Sequence, residues 1–510
     1  MTCGSRRRTR DAGGLRFRRC VRFAVCALSL ELASCARAPA AVTPSRPDNP
    51  LQQLSDDITA TITAPGVGRA AWGVIVESLD RGERLFELNP GTLLVPASTV
   101  KLVSLAGAVD AVGWGHQFET SAWVTGPILD GVLHGDMIVT GSGDPSIAGR
   151  GGTDLMPWIQ ALRKGGLHRI DGRIIGDDNG IEEPRPQLAW AWDDLGHATG
   201  ALFGALNYAE NRMEVTVAPA ETAGSQATLT VEPHAAARPL DNRTVTREPD
   251  SMPLLWPEQR PGEPLLTIAG FIPAGAPPAR LTVSVGNPTL WFANVLRYEL
   301  ISSGIETTGD AYDVDDVPPL IDRGKGSGIY EHRSPPLAQL AQPMLKESIN
   351  LYGEAVLRLN APKGVFPTND AALEGLRTRL RSWGIADEAW QIVDGSGLSR
   401  RNAVAPEVLV AVLRRMYDAS GQSPWMTALP VAGRDGTLAA RMRGTAAEGN
   451  VRAKTGTMTN IRTLAGYVRT RDEETLAFAI MADAFEGSGD AAVEAIDRIA
   501  VRLATFSRRP

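Results

Sequence analysis

The sequence predicts an α+β protein in which both ends of the chain build one five-stranded antiparallel sheet and the middle forms a large, mostly β insertion. Three observations lead to this fold class. A strand-turn-strand pattern stands near the start, three strand patterns and a closing helix stand at the end, and short alternating runs rich in Gly and Pro lie between them. A chain of 510 residues is too long for one simple core, so we expect two or three domains.

The N-terminus has the composition of an export signal. Residues 1–35 contain eight arginines, then an apolar run from Phe23 to Leu30, then Leu-Ala-Ser ending at Cys35. The run is shorter than the roughly 20 apolar residues of a transmembrane helix. Leu-Ala-Ser-Cys also resembles a lipobox, which would attach the protein to a membrane through a lipidated Cys35; simple cleavage is the alternative. Residues 36–50 predict a Pro-rich tether.

Cysteine content and charge restrict the class of protein further. All four cysteines lie in the leader, so the remaining chain has neither a disulfide nor a thiol nucleophile. The whole chain carries a net charge of −6, and loss of the arginine-rich leader makes the remainder more acidic. We therefore expect an exported or periplasmic protein that does not bind nucleic acid.

The catalytic domain is expected to combine residues 51–111 with 330–510. Ala71–Leu79 and Arg84–Leu88 predict a β-hairpin, and apolar residues after Ser98 recur at helical spacing. Three strands are predicted at 451–457, 462–469 and 475–481, and a helix at 491–506. The intervening residues 112–329 predict one or two nested, mostly β inserted domains.

The first candidate catalytic group is Ser98-Thr99-Val100-Lys101. A helix that begins at Ser98 places the lysine one turn further on, so both side chains share a face. A desolvated lysine can lose its proton and accept one from the serine, whereas arginine cannot. The chain has only six lysines among its 52 basic residues, so a lysine here is informative. The alternative is a surface Ser-x-x-Lys pair.

Two further motifs stand later in the chain. Lys454-Thr455-Gly456-Thr457 lies in a predicted strand, where Lys and Thr can bind a carboxylate and Gly permits close approach. Ser348-Ile349-Asn350 precedes a helical pattern and could relay a proton and bind a substrate carbonyl. Taken singly, the alternatives are a strand-edge lysine and an ordinary helix cap.

Together, Ser-x-x-Lys, Ser-x-Asn and Lys-Thr-Gly in this order resemble the serine penicillin-recognising enzymes, with a β-lactamase/transpeptidase-like domain. About 250 residues separate Ser98 from Ser348, which resembles the class C low-molecular-mass penicillin-binding proteins, the D-alanyl-D-alanine carboxypeptidase/endopeptidase family. Further segments resemble that family: Gly141-Ser142-Gly143-Asp144-Pro145, Asp394-Gly395-Ser396-Gly397-Leu398-Ser399-Arg400 and Gly433-Arg434-Asp435-Gly436-Thr437-Leu438.

The resemblance implies a role for each motif residue. Ser98 would form the acyl-enzyme with Lys101 as base, Ser348 would pass the proton to the leaving amine, and Asn350 would contact Lys101 and the substrate amide. Lys454 would maintain a positive potential. The remaining implied binding residues lie on or near the same strand or in the insertion: Thr455, Gly456 and Thr457 at the terminal carboxylate, Met458 beside the side-chain pocket, and Asp178 at the free amine of a diamino acid. For Asp178 the alternative is a solvated turn.

The resemblance also implies the substrates and two rival functions. Peptidoglycan stem peptides and β-lactam antibiotics are the expected partners, and no metal or organic cofactor is implied. The six histidines lie away from the motifs and no Gly-x-Ser-x-Gly is present, which disfavours a Ser-His-Asp hydrolase. A β-lactamase or esterase on the same scaffold, or a catalytically weak wall-binding protein, remain the alternatives.

Overall fold

A computed structural model describes residues 49–232, 240–260, 265–317, 326–418, 423–487 and 489–509. The predicted export signal, Cys35 and the tether up to residue 48 lie outside the described residues. The last two residues of the predicted tether begin the first helix, because Asn49 accepts a hydrogen bond from the backbone N–H of Leu51 and caps a helix that starts at Pro50.

The α-helices of the described residues are numbered in chain order. They are α1 (Pro50–Ile62), α2 (Val100–Val112), α3 (Met156–Lys164), α4 (Pro288–Ser302), α5 (Leu337–Lys346), α6 (Asn350–Arg358), α7 (Asn369–Ser382), α8 (Pro406–Met416), α9 (Pro424–Ala428) and α10 (Asp490–Ala504).

The β-strands of the same residues are numbered likewise. They are β1 (Ala71–Ser78), β2 (Glu83–Leu88), β3 (Glu119–Val124), β4 (Ile128–Leu129), β5 (Val132–Leu133), β6 (Met137–Gly141), β7 (Arg169–Ile170), β8 (Ile174–Asp177), β9 (Arg212–Ala218), β10 (Thr228–Glu232), β11 (Leu240–Arg247), β12 (Leu254–Gln259), β13 (Leu266–Pro273), β14 (Ala279–Ser284), β15 (Glu306–Thr307), β16 (Ala311–Asp313), β17 (Ser327–Arg333), β18 (Trp390–Gln391), β19 (Ala403–Val404), β20 (Arg452–Met458), β21 (Ile461–Arg469) and β22 (Thr475–Asp483).

The predicted five-stranded antiparallel sheet is confirmed. Its strand order is β2-β1-β22-β21-β20, and every neighbouring pair is antiparallel. The first two strands come from the start of the chain and the other three from its end. Strand β20, which carries Lys454, lies at one edge of the sheet, so one side of its backbone is not paired with a strand of that sheet.

Helices cover both faces of this sheet. Val74 and Val76 of β1 face α1 and α10 in one apolar core, while Ile75 belongs to a second core that contains α2 and α8. Successive side chains of a strand point to opposite faces, which explains the alternation. Helix α2 is buried along most of its length, and this burial removes Lys101 from water.

The insertion is built from several smaller sheets around its own core. Their orders are β10-β9-β14, β11-β13-β12, β15-β7-β5-β4 and β16-β8-β6-β3-β17. Helix α4 packs on this core through buried aromatic residues such as Trp291 and Phe292. Strand β17 (Ser327–Arg333) pairs with β3 of the insertion. The insertion therefore extends past the boundary expected between residues 329 and 330.

Membrane-spanning helices were also sought. Among the helices that the structure describes, none combines the length and the apolar character needed to cross a membrane.

Candidate active site

Ser98 lies in a short 3-10 turn, Ala97–Thr99, that runs directly into α2. Ala97 has a φ of 46°, a left-handed conformation that an L-residue adopts at some cost. Two glycines pack against this turn. A Cβ on Gly397 would lie 2.1 Å from the carbonyl oxygen of Ala97, and one on Gly456 would lie 2.7 Å from that of Pro96. The glycine of the Lys-Thr-Gly motif thus lets β20 approach the turn that carries the serine.

Lys101 lies one helical turn from Ser98 and is 0% exposed. Its Nζ donates to three oxygens: Ser98 Oγ at 2.9 Å, Asn350 Oδ1 at 2.8 Å and the carbonyl of Ser396 at 2.6 Å. Three acceptors match the three protons of an ammonium group. In the neutral amine, two acceptors can hold the two N–H groups while the lone pair faces the serine hydroxyl.

The environment of Lys101 makes the neutral amine accessible. Burial lowers its pKa to about 7, against the opposing effect of the Asp394 and Glu354 carboxylates, which raise it. Near neutral pH, a substantial fraction of this lysine can therefore accept a proton from Ser98.

The second and third motifs meet beside this pair. Lys454 is 0% exposed, and its Nζ donates to Ser348 Oγ at 2.8 Å and to the Thr455 carbonyl at 2.8 Å. Ser348 has a φ of 63°, another left-handed residue at the site. Asn350 begins α6 and also donates from Nδ2 to the Thr199 carbonyl at 2.9 Å. The structure therefore links Ser98, Lys101 and Asn350 in one network and Ser348 and Lys454 in another.

The charge of Lys454 is sensitive to its surroundings. Burial, followed by repulsion from the nearby Lys101, holds the pKa of Lys454 well below its usual range. A bound carboxylate would oppose this shift and favour the ammonium form. The arrangement suits a site that accepts an anionic group.

An open cavity of about 480 Å³ lies in front of Ser98. Its walls come from both parts of the chain and are formed by Ser98, Ala189, Ala191, Asp193, Asp194, Thr199, Glu347, Ser348, Asn350, Gly397, Leu398, Arg400, Thr457, Met458 and Thr459. Thr457 is exposed and Met458 half-buried at this wall. Thr455 is buried and donates to Thr437 Oγ1 at 2.8 Å.

Asp178 is not brought to this cavity. Its side chain is 1% exposed and accepts a hydrogen bond from Thr289 Oγ1 at 2.5 Å, so it points into the insertion at the start of α4. Asp178 is therefore neither at the cavity, where the resemblance would place it beside a substrate amine, nor in a solvated turn. The acidic residues of the insertion that do line the cavity are Asp193 and Asp194. They are neighbours in sequence within a Trp-rich stretch, Ala-Trp-Ala-Trp-Asp-Asp.

Residues that were not candidates in the sequence hold the back of the site. Asp394 accepts from the backbone N–H of Gly397 at 2.7 Å and from Trp190 Nε1 of the insertion at 2.8 Å. Ser399 Oγ donates to the Leu188 carbonyl at 2.6 Å. The segment 394–400, noted in the sequence only for its resemblance, is thus hydrogen-bonded to the insertion behind Ser98.

Metal ligands were sought separately. Within the residues that the structure describes, no group of three or more His, Cys, Asp and Glu side chains is arranged to hold a metal ion.

Comparison with known proteins agrees with this geometry. Residues 54–506 match the D-Ala-D-Ala carboxypeptidase 3 (S13) family. The crystal structure of penicillin binding protein 4 (dacB) from Haemophilus influenzae superposes with a TM-score of 0.76 at 24% identity, covering 88% of this chain and 99% of that one. This likeness shows the fold, including the β insertion within the penicillin-recognising domain.

Curated relatives point to the same family. The D-alanyl-D-alanine carboxypeptidase of Actinomadura sp. is 32% identical over 470 residues, which cover 90% of this chain and 85% of the relative. The D-alanyl-D-alanine carboxypeptidase DacB of Haemophilus influenzae is 26% identical over 413 residues, covering 80% of this chain and 84% of the relative. Because both the family match and the first relative span most of its length, this chain belongs to the D-Ala-D-Ala carboxypeptidase 3 (S13) family.

Proposed function

We propose that this chain is a serine-type D-Ala-D-Ala carboxypeptidase that acts on peptidoglycan stem peptides through an acyl-enzyme on Ser98. One observation carries the proposal: Ser98 Oγ lies 2.9 Å from the Nζ of a fully buried lysine whose pKa is lowered to about 7. A hydroxyl beside a neutral amine is an activated nucleophile. The family and the curated relatives supply the substrate class.

In the acylation step, Ser98 Oγ attacks the carbonyl carbon of the penultimate D-alanine and its proton passes to Lys101 Nζ. The carbonyl electron pair moves to oxygen, and we assign the backbone N–H groups of Ser98 and Thr457 as donors to that oxyanion. The tetrahedral species then expels the terminal D-alanine. The departing nitrogen takes a proton from Ser348 Oγ, and the proton that Lys101 received from Ser98 is returned to Ser348, so that Lys101 is neutral again before deacylation.

Binding of the terminal carboxylate is assigned to the strand that carries Lys454. Thr457 offers a hydroxyl donor at the cavity wall, and Thr455 would offer a second one on releasing its hydrogen bond to Thr437. Gly456 lets the strand lie close to the turn that carries Ser98. Lys454 supplies the positive potential once the anion restores its proton. Water then attacks the Ser98 ester while Lys101 accepts the water proton. Lys101 returns this proton to Ser98 Oγ as the ester C–O bond breaks, which releases the shortened peptide and regenerates the serine.

The free amine of a diamino-acid side chain, where the stem peptide has one, is assigned to Asp194 with Asp193 beside it, in place of Asp178. Asp194 is half-buried at the cavity wall, and Asp193 is exposed there. An amine at this position supports hydrolysis of peptide cross-links as well as of the terminal bond, so endopeptidase activity belongs to the same proposal. Met458, the last residue of β20, borders the cavity.

A β-lactam is an amide whose acyl-enzyme would form by the same steps on Ser98. The experiment is therefore intact-mass analysis of the protein after incubation with a penicillin, alongside D-alanine release from a synthetic pentapeptide. We expect one adduct per chain and D-alanine release for the wild type, and neither for Ser98→Ala. The exposed Ser382→Ala at the end of α7 is the matched control.

The alternatives are distinguished by the same measurement. Rapid turnover of the penicillin without a lasting adduct would replace the proposal with the β-lactamase alternative. Folded wild-type protein with neither adduct nor D-alanine release would leave a wall-binding protein. An adduct that persists in Ser98→Ala would show that the nucleophile is misassigned.

Location and organisation complete the proposal. We assign residues 1–35 to export to the periplasm or another extracytoplasmic space and Cys35 to a possible lipid anchor, both supported by sequence pattern. We divide the catalytic domain between the two ends of the chain, with the insertion starting at residue 112, and the five-stranded sheet supports this division. The end of the insertion moves from residue 329 to Arg333, because β17 pairs with β3. Mass analysis of the mature N-terminus after expression in a bacterial host separates a lipidated Cys35 from simple cleavage.

A further inference from the structure

Glu354 is a buried carboxylate that stands behind the reacting pair without touching it. It lies on α6, one turn after Asn350, and is 1% exposed. Its Oε1 accepts the backbone N–H of Gly395 at 3.1 Å and of Ser396 at 2.9 Å. Burial of a carboxylate is costly unless hydrogen bonds and opposite charge compensate it, and here the two N–H groups and the nearby Arg358 do so.

The segment that Glu354 holds leads directly into the carbonyl that contacts both Ser98 and Lys101. Glu354 accepts the N–H groups of Gly395 and Ser396, and the Ser396 carbonyl belongs to the next peptide, whose N–H on Gly397 donates to Asp394 at 2.7 Å. The carbonyl of Ser396 accepts from Lys101 Nζ at 2.6 Å and from Ser98 Oγ at 3.4 Å. The position of that carbonyl therefore fixes one of the two N–H directions of a neutral Lys101. Asn350 Oδ1 fixes the other at 2.8 Å.

The backbones around this contact leave little room for movement. A Cβ on Gly353 would lie 2.8 Å from the Gly395 carbonyl oxygen, and one on Gly395 would lie 2.2 Å from that of Gly353. Helix α6 and the 395–396 segment are in direct backbone contact through these two glycines. A displacement of the segment would move the Ser396 carbonyl relative to Lys101.

We propose that Glu354 is a positioning residue for proton transfer: it holds the backbone N–H groups of Gly395 and Ser396, and thereby the start of the segment whose Ser396 carbonyl, together with Asn350, directs the lone pair of Lys101 at Ser98. The inference rests on the proposed function of Ser98 and Lys101. Asn350 and Glu354, one helical turn apart on α6, then act on the same amine, one directly and one through the opposite backbone.

The charged groups around the pair determine the expected pH behaviour. Lys101 faces Glu354 on α6, Asp394 on the following segment and Lys454 on β20. Glu354 itself faces Asp394 and, one turn along α6, Arg358. Burial and then Asp394 raise the pKa of Glu354 to about 7. When ionised, Glu354 raises the pKa of Lys101, so its neutralisation lowers the pH at which the lysine loses its proton.

The test measures the rate of acylation by a penicillin between pH 5 and pH 9 for the wild type, Glu354→Gln and Glu354→Ala. The amide of Glu354→Gln keeps an oxygen that can accept both N–H groups. We expect it to acylate within about tenfold of the wild type, with the rising limb of the profile moved to lower pH. Glu354→Ala loses the acceptor as well as the charge, so we expect the same shift of the profile and a fall of about 100-fold in the plateau rate. Exposed Glu374→Gln on α7 is the matched control.

Each outcome of this test supports or overturns the proposed role of Glu354. Eventual one-to-one labelling of each variant shows that the site is folded, so that only the rate reports on positioning. Wild-type acylation rates in Glu354→Ala would overturn the inference. Equal losses of rate in both variants with an unmoved pH profile would also overturn it, because that is the result expected of a group with a purely structural role. If Glu354→Ala does not fold, the shift in Glu354→Gln decides alone. Failure of the wild type to acylate would instead refute the proposed function.

Discussion

The Nζ atom of Lys101 lies 2.9 Å from the Oγ atom of Ser98, inside a network in which every neighbouring acceptor is supplied by a different segment of the chain. Asn350 Oδ1 comes from α6, and the Ser396 carbonyl comes from the segment after β18. The proposed nucleophile and base thus lie three positions apart in sequence, while their orientation depends on distant residues.

Replacement of Lys101 by arginine is expected to stop acylation while preserving the positive charge. A guanidinium does not lose its proton in proteins, so the general base is removed. We expect penicillin acylation to fall by about 10²–10⁴-fold, measured by intact mass against time. Lys164→Arg, at the exposed end of α3, should acylate like the wild type. Near-normal acylation of Lys101→Arg would exclude this lysine as the base.

The pH profile should report the same group. Because burial lowers the pKa of Lys101 to about 7, the neutral, proton-accepting form increases as pH rises through that value. The second-order rate of acylation should therefore rise between pH 5 and pH 8, with its midpoint near the lysine pKa. Stopped-flow measurement with a chromogenic β-lactam checks this. A flat profile, or a midpoint near pH 10, would contradict the assignment.

Gly397→Ala should disturb the nucleophile directly. Gly397 has a φ of 86°, and an added Cβ would lie 2.1 Å from the Ala97 carbonyl. Left-handed strain and this overlap should together lower the free energy of unfolding by more than about 2 kcal/mol and slow acylation. Gly364→Ala has a φ of 80° with open space around it, so strain alone should cost about 1 kcal/mol. Thermal midpoints and acylation rates of the two variants separate overlap from strain.

Trp190→Phe tests the tie between the insertion and the catalytic part. It removes the indole N–H that donates to Asp394 at 2.8 Å and leaves a buried carboxylate short of one donor. The free energy of unfolding should fall by about 1–3 kcal/mol, measured by urea denaturation. Trp192→Phe is the control, because that side chain is 56% exposed and should change stability by less than about 0.5 kcal/mol. Equal effects would show that the hydrogen bond to Asp394 contributes little.

Asp194→Asn should alter substrate preference rather than the chemical step. For a stem peptide with a free side-chain amine, loss of the carboxylate should raise KM roughly tenfold, whereas an otherwise identical peptide with that amine acetylated should be unaffected. Asp178→Asn is the informative comparison, since Asp178 is buried against Thr289 and should affect stability without this selectivity. A selective KM effect in Asp178→Asn and none in Asp194→Asn would restore the original assignment.

Several parts of this protein follow from short stretches of sequence. A serine and lysine three positions apart on a helix share a face whatever surrounds them, and strand patterns at both chain ends predict the five-stranded sheet that these ends form. These features depend on local periodicity. The order of the three motifs then identified the family, which the comparisons confirm.

Other parts were decided only when distant segments met. Asp177 and Asp178 end one strand and Asp193 and Asp194 lie in a loop, and no local pattern tells which pair faces the cavity. That choice depends on how the insertion packs on the catalytic domain. There, the Thr289 hydroxyl donates to the Asp178 carboxylate, which is buried inside the insertion. The contact from the Ser396 carbonyl could not be predicted from sequence either, because every residue has a backbone carbonyl. The contact of Glu354 could not be predicted because its partners, Gly395 and Ser396, lie about 40 residues away. The sequence by itself predicted Ser98 and Lys101 as a pair on one helix face. The tertiary structure decided which groups orient that pair and which side chains line the cavity, because those contacts join residues far apart in the chain.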